Sequence, residues 1–274
     1  MFSVNLEFNK QYSTYKAHLM LDIHTHITEY NHNEITEVIK RAKNVGVKII
    51  IAASTTINSC FQSIKLSNTY NIIYSGIGLH PMDLKTPINE TILKTLENFT
   101  KKSNKIVTFS EIGLDFLDDM PDRKIQYDAF REQIRLSIQL NLPIIFHSRN
   151  ADLETLRILK EEQAYKVGGA MHYFQSDINI ANKVIDLGFN ISIAKPILNN
   201  IELQKTVKNI PLNKIVLETD SAPQPFKKNR EKWTEPRHLY DIAEKLSSLY
   251  DCDINELQKI TSKNSYDMLF KIPI

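Results

Sequence analysis

The sequence predicts an α/β fold, a single (β/α)8 TIM barrel, and three observations lead there. Short apolar runs alternate with longer amphipathic stretches along all 274 residues. No linker, low-complexity segment or break in composition divides them. The polar residues of greatest chemical interest stand just past the C-terminal ends of many different apolar runs, from first to last. An open doubly wound sheet shares the alternation but binds mainly at one switch point, whereas a barrel draws its site from all its strand ends.

The first predicted strand, 19–23, runs into Asp22-Ile23-His24-Thr25-His26 and precedes a helical pattern over 34–43. Strands over 47–53 and 72–77 flank a helix over 57–68. A helix over 90–99 leads to a strand over 106–109, and one over 123–140 to a strand over 143–146. Helices over 153–162, 178–186 and 203–208 precede strands over 169–171, 189–193 and 214–217, and helices over 237–250 and 254–269 close the chain. Each strand is short, bounded by Gly, Asn or Pro, and rich in Ile, Val or Leu, as strands buried on both faces are. Residues 21–274 read as one domain and residues 1–20 as an N-terminal extension, either a short hairpin or a flap over the barrel floor.

Composition narrows the class. With 42% hydrophobic and 24% charged residues the chain is neither disordered nor fibrous. No apolar run approaches a membrane span or a signal h-region, so the reading is a cytoplasmic protein with no membrane partner. A net charge of +2 neither demands nor excludes a nucleic acid. Cys60 and Cys252 sit outside any metal-ligand spacing and read as free thiols of a reducing compartment.

His24 and His26 are two residues apart after an apolar run, so on extended backbone both imidazoles point to one side. Alone, such a pair fits satisfied polar side chains as well as metal ligands. Asp22 adds weight as a group that can hydrogen-bond a nearby histidine or backbone. Glu111, His147, His172 and Asp220 occupy analogous places after later strands, each individually compatible with an ordinary strand-end polar residue. Together, four imidazoles and two carboxylates at successive strand ends suit two divalent ions bridged by one acid. The set lacks sulfur, which disfavours a structural zinc site.

These residues carry a resemblance. Asp22-Ile23-His24-Thr25-His26, Gly78-Leu79-His80-Pro81, Glu111-Ile112-Gly113-Leu114-Asp115, Phe146-His147-Ser148-Arg149, His172-Tyr173-Phe174 and Glu218-Thr219-Asp220 resemble, in order, the motifs of the TatD family of metal-dependent deoxyribonucleases, within the amidohydrolase-like superfamily. The resemblance implies that His24, His26 and Glu111 hold one metal, with Asp220 beside the attacking water. It implies that Glu111, His147 and His172 reach a second. The ions would be magnesium, manganese or zinc, and Asp220 and Glu111 the catalytic carboxylates. Three departures bear on substrate handling and none on the ligands. Trp233-Thr234 replaces an arginine-asparagine pair before Glu235-Pro236, Ser110 replaces a glycine, and Ala194-Lys195-Pro196 replaces a glycine-rich strand end.

The expected function is therefore hydrolysis of DNA phosphodiesters by metal-activated water, exonucleolytically on single strands, with no obligate protein partner evident. Asp220 would take the water's proton and pass it to the leaving oxygen. His80 and Arg149 are candidates for a phosphate clamp, against a turn role for His80 beside Pro81 and a surface ion pair with Asp152 for Arg149. Lys227, Lys228 and Arg230, interleaved with Phe226 and Trp233 after the last strand, suit single-stranded DNA. They suit a merely solvated loop equally well. The alternative function is a small-molecule ester, lactone or amide hydrolase of the same superfamily.

Overall fold

The computed structural model describes residues 20–270. Eight parallel strands form one sheet in sequence order: β1 (Met20–Thr25), β2 (Val47–Ala52), β3 (Ile73–Ile77), β4 (Ile106–Asp115), β5 (Ile144–Arg149), β6 (Gly169–Met171), β7 (Asn190–Ile193) and β8 (Ile215–Leu217). The last strand returns to the first. Thr25 bridges Ser221, His26 N donates to Ser221 O at 2.8 Å, and Asp220 N donates to His24 O at 3.1 Å. The sheet is the predicted barrel, nearly closed. Its outer helices among the described residues are α1 (His32–Asn44), α2 (Ile57–Thr69), α3 (Glu90–Lys102), α4 (Arg123–Gln139), α5 (Asp152–Glu161), α6 (Ile178–Asp186), α7 (Ile201–Val207), α8 (Leu239–Tyr250) and α9 (Ile254–Phe270).

Leu21, Ile23, Ile49, Ile51, Tyr74, Val107, Ile145, Ala170 and Val216, from seven of the eight strands, meet in one buried cluster. Only the interior of a closed sheet brings so many strands together. Tyr266, Met268 and Leu269 of α9 join it near the strand starts, so the floor of the barrel is apolar and filled. The opposite strand faces, with Ile50, Ile73, Phe109 and Ile144, pack on the helices. Each such buried aliphatic side chain contributes about 1.5–3 kcal/mol relative to exposure. Helix starts are set by side-chain oxygens that accept first-turn amides: Asn89 for α3, Asp122 for α4, Asp177 for α6 and Asn200 for α7.

Three strands run past the apolar runs that predict them. β1 continues to Thr25, β4 to Asp115 and β5 to Arg149, so His24, Glu111 and His147 stand within strands rather than past their ends. The apolar pattern stops because the upper barrel lining is polar, while the backbone ladder goes on. Met20, at the boundary between the expected extension and the strand predicted over 19–23, is the buried first residue of β1. The hairpin or flap expected before it lies outside the described residues. Among those residues, no helix is long and apolar enough to cross a membrane.

Candidate metal centre

The strands that carry the site are irregular where they carry it. Against β2, β1 advances from Asp22 to Thr25 while its partner advances only from Ile50 to Ala52. This one-residue bulge breaks the strict alternation of faces. It explains how His24 enters the barrel mouth directly after Ile23, itself part of the interior cluster. A second bulge lies in β4, where Phe109 to Ile112 spans Ile144 to Phe146 of β5 and includes the cis Ser110–Glu111 peptide. The spacing of His24 and His26 is thus not that of a plain extended strand. A bulge between Asp22 and Thr25, spanning His24, sets the side of the pair.

Glu111 is the hub. Its Oε2 lies 3.4 Å from His24 Nε2 and 3.7 Å from His26 Nε2. Its Oε1 lies 2.7 Å from His147 Nδ1 and 3.4 Å from His172 Nε2. Asp220 Oδ1 completes the first side, 3.3 Å from His26 Nε2 and 3.8 Å from His24 Nε2. All six predicted ligands therefore converge, and they alone make up two of the four groups close enough to share an ion among the described residues: His24, His26 and Asp220, and Glu111, His147 and His172. The other two groups bring in Glu218, and His80 with Asp115. His80 joins them, with Nε2 3.4 Å from Glu111 Oε1 while its Nδ1 accepts from Met82 N at 3.0 Å.

These atoms fit a divalent cation. Among the described residues, His24 Nε2 and Asp220 Oδ1 are buried without a hydrogen-bond partner, although polar atoms in such places are nearly always satisfied. All donors are imidazole nitrogen or carboxylate oxygen, the set that suits zinc, manganese or magnesium. The electrostatics agree. Burial alone would raise the Glu111 carboxyl, yet the imidazoles of His80, His172 and His24 hold it well below its usual range. Burial opposes a charged His26, but Asp220 and Glu111 push it up to about 9. In His172 burial is likewise outweighed, by Glu218 and Glu111, and the imidazole rises to about 10. His24 goes the other way, lowered by burial and by the His172 ring stacked 3.8 Å away. Carboxylate charge from Glu111, Asp220 and Glu218 is thus concentrated among these imidazoles.

Three supporting residues, Ser110, Glu218 and Asp115, have no role in the sequence reading, and a fourth, Asp22, is expected there to bond a nearby histidine or backbone. Ser110 Oγ lies 3.1 Å from His24 Nδ1. Glu218 Oε1 lies 2.9 Å from His172 Nδ1 and accepts from Tyr173 N, while Oε2 accepts from Ser192 at 2.6 Å. Asp115 Oδ2 meets His147 Nε2 at 3.0 Å and Arg149 Nε at 2.8 Å. Asp22 accepts from Thr219 N and Oγ1 at 2.9 and 2.6 Å, so it holds the backbone beside Asp220 rather than a histidine. Asp220 itself sits in the left-handed region at φ 49°, a strained conformation that these bonds across the β1–β8 seam secure. Such outer partners fix tautomer and ring orientation. The one available signal was their presence in the same short motifs as the ligands.

The order, spacing and convergence of these residues agree with the family comparison, in which the family described as TatD related DNase matches residues 21–270. The chain belongs to the TatD family. An uncharacterized metal-dependent hydrolase of Buchnera aphidicola is 39% identical over 92% of this chain and 99% of its own length. Human deoxyribonuclease TATDN3 is 28% identical over 92% of this chain and 95% of its own length. The crystal structure of YjjV, a TatD homolog from Escherichia coli, superposes with a TM-score of 0.83 at 24% identity, covering 93% of this chain and 98% of that one.

Within this TatD-family barrel, the residues expected to touch substrate part company. Arg149 lines the cleft, paired with Asp115 and not with Asp152, which instead accepts from Ser148 and Ser176. His80 lines the cleft as part of the centre. Lys227, Lys228 and Arg230 do not line it. Arg230 is bound to Glu34 and Glu235 at 3.0 and 2.8 Å and lies over the Trp233 ring. Lys227 Nζ donates to Gln224 Oε1 at 2.6 Å, and Lys228 is exposed. Glu235, also bound by Arg41, makes this loop a pinned structural corner. Ion pairing within the loop takes up charge that sequence alone leaves unassigned.

Proposed function

We propose that this TatD-family metal-dependent hydrolase is a deoxyribonuclease that cleaves phosphodiester bonds of single-stranded DNA from an end. The observation that carries the reading is Glu111, one carboxylate whose two oxygens face two separate histidine pairs at the floor of an open cleft. The cleft encloses about 1330 Å³ and is lined mainly by polar and charged side chains. Small-ligand sites usually enclose about 300–1,000 Å³ and are mostly apolar, so this one suits a segment of a charged polymer better. The human relative named a deoxyribonuclease supports the same reading.

The proposed cofactors are two divalent cations, Mg2+, Mn2+ or Zn2+. His24, His26, Asp220 and Glu111 Oε2 would hold one, and Glu111 Oε1, His147 and His172 the other. Cations bound there supply neutralisation of phosphoryl charge and acidify water. The chain's own residues do the rest. The Asp220 side chain is 28% exposed, and its carboxylate would take a proton from water and return it to the leaving oxygen. Arg149, half exposed and oriented by Asp115, presents its guanidinium to a phosphate oxygen. Ser110, Glu218 and Asp115 keep three imidazoles from rotating.

The test is cleavage of labelled single- and double-stranded DNA with Mg2+ or Mn2+ and with chelator, by wild type, Glu111→Ala and Asp220→Ala. Metal-dependent shortening of single strands, lost in both variants, is expected. Chelator-resistant cleavage or full activity in both variants would sink the reading. Fast hydrolysis of a small ester without DNA turnover would favour the small-molecule alternative.

A further inference from the structure

With Lys227, Lys228 and Arg230 away from the cleft, its lysine and arginine lining consists of Arg123 and Arg149, which belong to α4 and β5. In a barrel of order β1 to β8 these stand across the mouth from the loop after β8. The two arginines differ. Arg149 is committed to a buried carboxylate, its Nε and Nη2 2.8 and 2.5 Å from Asp115 Oδ2. Arg123 has no such partner: among the described residues, no carboxylate oxygen lies within 4.0 Å of its guanidinium.

Arg123 is nevertheless held in place. It is the first residue of α4, and its guanidinium lies 4.3 Å from the centre of the Phe116 ring. Phe116 is braced edge-on by Tyr127 at 5.9 Å, and its backbone N donates to Arg149 O at 2.9 Å. The same cleft is lined by Met82 and Leu153, which are 52% and 61% exposed. A stacked guanidinium is ordered before it binds, so less entropy is lost on pairing. An exposed cation on a ring, next to exposed apolar surface, is the combination by which single-stranded nucleic acids are held: phosphate on the cation and base on the flat surface.

We infer that Arg123, stacked on Phe116, grips a phosphate of single-stranded DNA other than the one being cleaved, with a neighbouring base against the Phe116, Met82 and Leu153 rim. The strand then leaves the mouth over the β4–β5 side and not over the loop after β8. This inference rests on the nuclease reading and adds the path of the substrate to it.

Steady-state kinetics of Arg123→Ala, Arg123→Lys, Phe116→Leu and a neighbouring-cation control, Lys124→Ala, test it on three substrates. These are a single-stranded decanucleotide, a dinucleotide with one phosphodiester and no terminal phosphate, and bis(4-nitrophenyl) phosphate. Arg123 is exposed, and thermal melting confirms that each variant is folded. For Arg123→Ala we expect KM for the decanucleotide to rise about tenfold with kcat within twofold. The slope of log KM against log salt should fall by about 0.7. The substrates lacking a second phosphate should be unaffected. Lysine should restore part of the loss, Phe116→Leu should reproduce part of it, and Lys124→Ala should behave as wild type. Unchanged decanucleotide kinetics in Arg123→Ala, or an equal loss on all three substrates, overturns the inference while leaving the nuclease reading intact. A wild-type protein that neither cleaves nor binds the decanucleotide, yet hydrolyses a small ester, overturns both.

Discussion

Ser110 Oγ and His24 Nδ1 lie 3.1 Å apart in the floor of the cleft, and both side chains are fully buried. The contact joins the two bulged strands, β1 and β4. Room for the Ser110 side chain depends on Gly76 of β3, where an added Cβ would stand 2.8 Å from Ser110 Cβ. A hydrogen bond donated by Nδ1 to Ser110 Oγ would leave Nε2 with the lone pair that faces Glu111 and Asp220. Ser110→Ala should therefore weaken divalent-cation affinity about 10–100-fold with little change in stability. Competition against a fluorescent chelator measures this. An unchanged affinity would show that the hydroxyl does not orient the ring.

Cation binding should also register as stability. The centre is assembled only in the folded chain, so Mn2+ at a hundred times its Kd should stabilise the protein by about 2.7 kcal/mol. Thermal melting with and without chelator reads the effect, which His24→Ala should largely remove. A melting temperature indifferent to Mn2+ in the wild type would argue against the centre.

Gly113 faces His147 across the β4–β5 ladder, with φ at 153°. A Cβ there would lie 1.9 Å from the His147 carbonyl oxygen, so the strands would have to separate. Gly113→Ala should cost at least about 1–3 kcal/mol. It should also weaken cation binding, because His147 moves with its backbone. Urea unfolding supplies the first number and chelator competition the second. A variant as stable as wild type would contradict the close approach.

Glu235 is buried and bonded by Arg41 and Arg230. Burial would raise its carboxyl, but the two guanidinium groups outweigh burial and hold it below its ordinary value of 4.5. A carboxyl depressed on folding favours the native state above its unfolded value. That contribution is lost as pH falls from about 4.5 through the lower folded value. Glu235→Gln should cost about 1.5–3 kcal/mol at pH 7, and the difference from wild type should shrink as the pH falls toward 3. Denaturant melts at several pH values would refute this if the gap stayed constant.

Some elements were legible in the sequence residue for residue. The strand over 169–171 and the helix over 178–186 match β6 and α6, because glycines and the Asp177 cap mark their limits. The strand over 106–109 is the instructive miss. β4 runs six residues further, through Ser110, Glu111 and Asp115, because a barrel's upper lining can be polar without interrupting the backbone ladder. The six converging candidate ligands are readable for a related reason. Each follows an apolar run within a short motif, so local sequence places it at the strand-end face.

The sequence by itself determined the alternation that closes the barrel and the chemical identity of the groups at its mouth, since both follow from local pattern. Tertiary structure alone decided which groups meet and which cations face the cleft. Ser110 reaches His24 across 86 residues, Arg230 is withdrawn by Glu34 across 196, and Arg123 remains unpaired at the rim. The physical reason is that each of these outcomes depends on which side chains come near one another across the fold. Nearness between distant strands is set by barrel register and bulges, which no local pattern in the chain encodes.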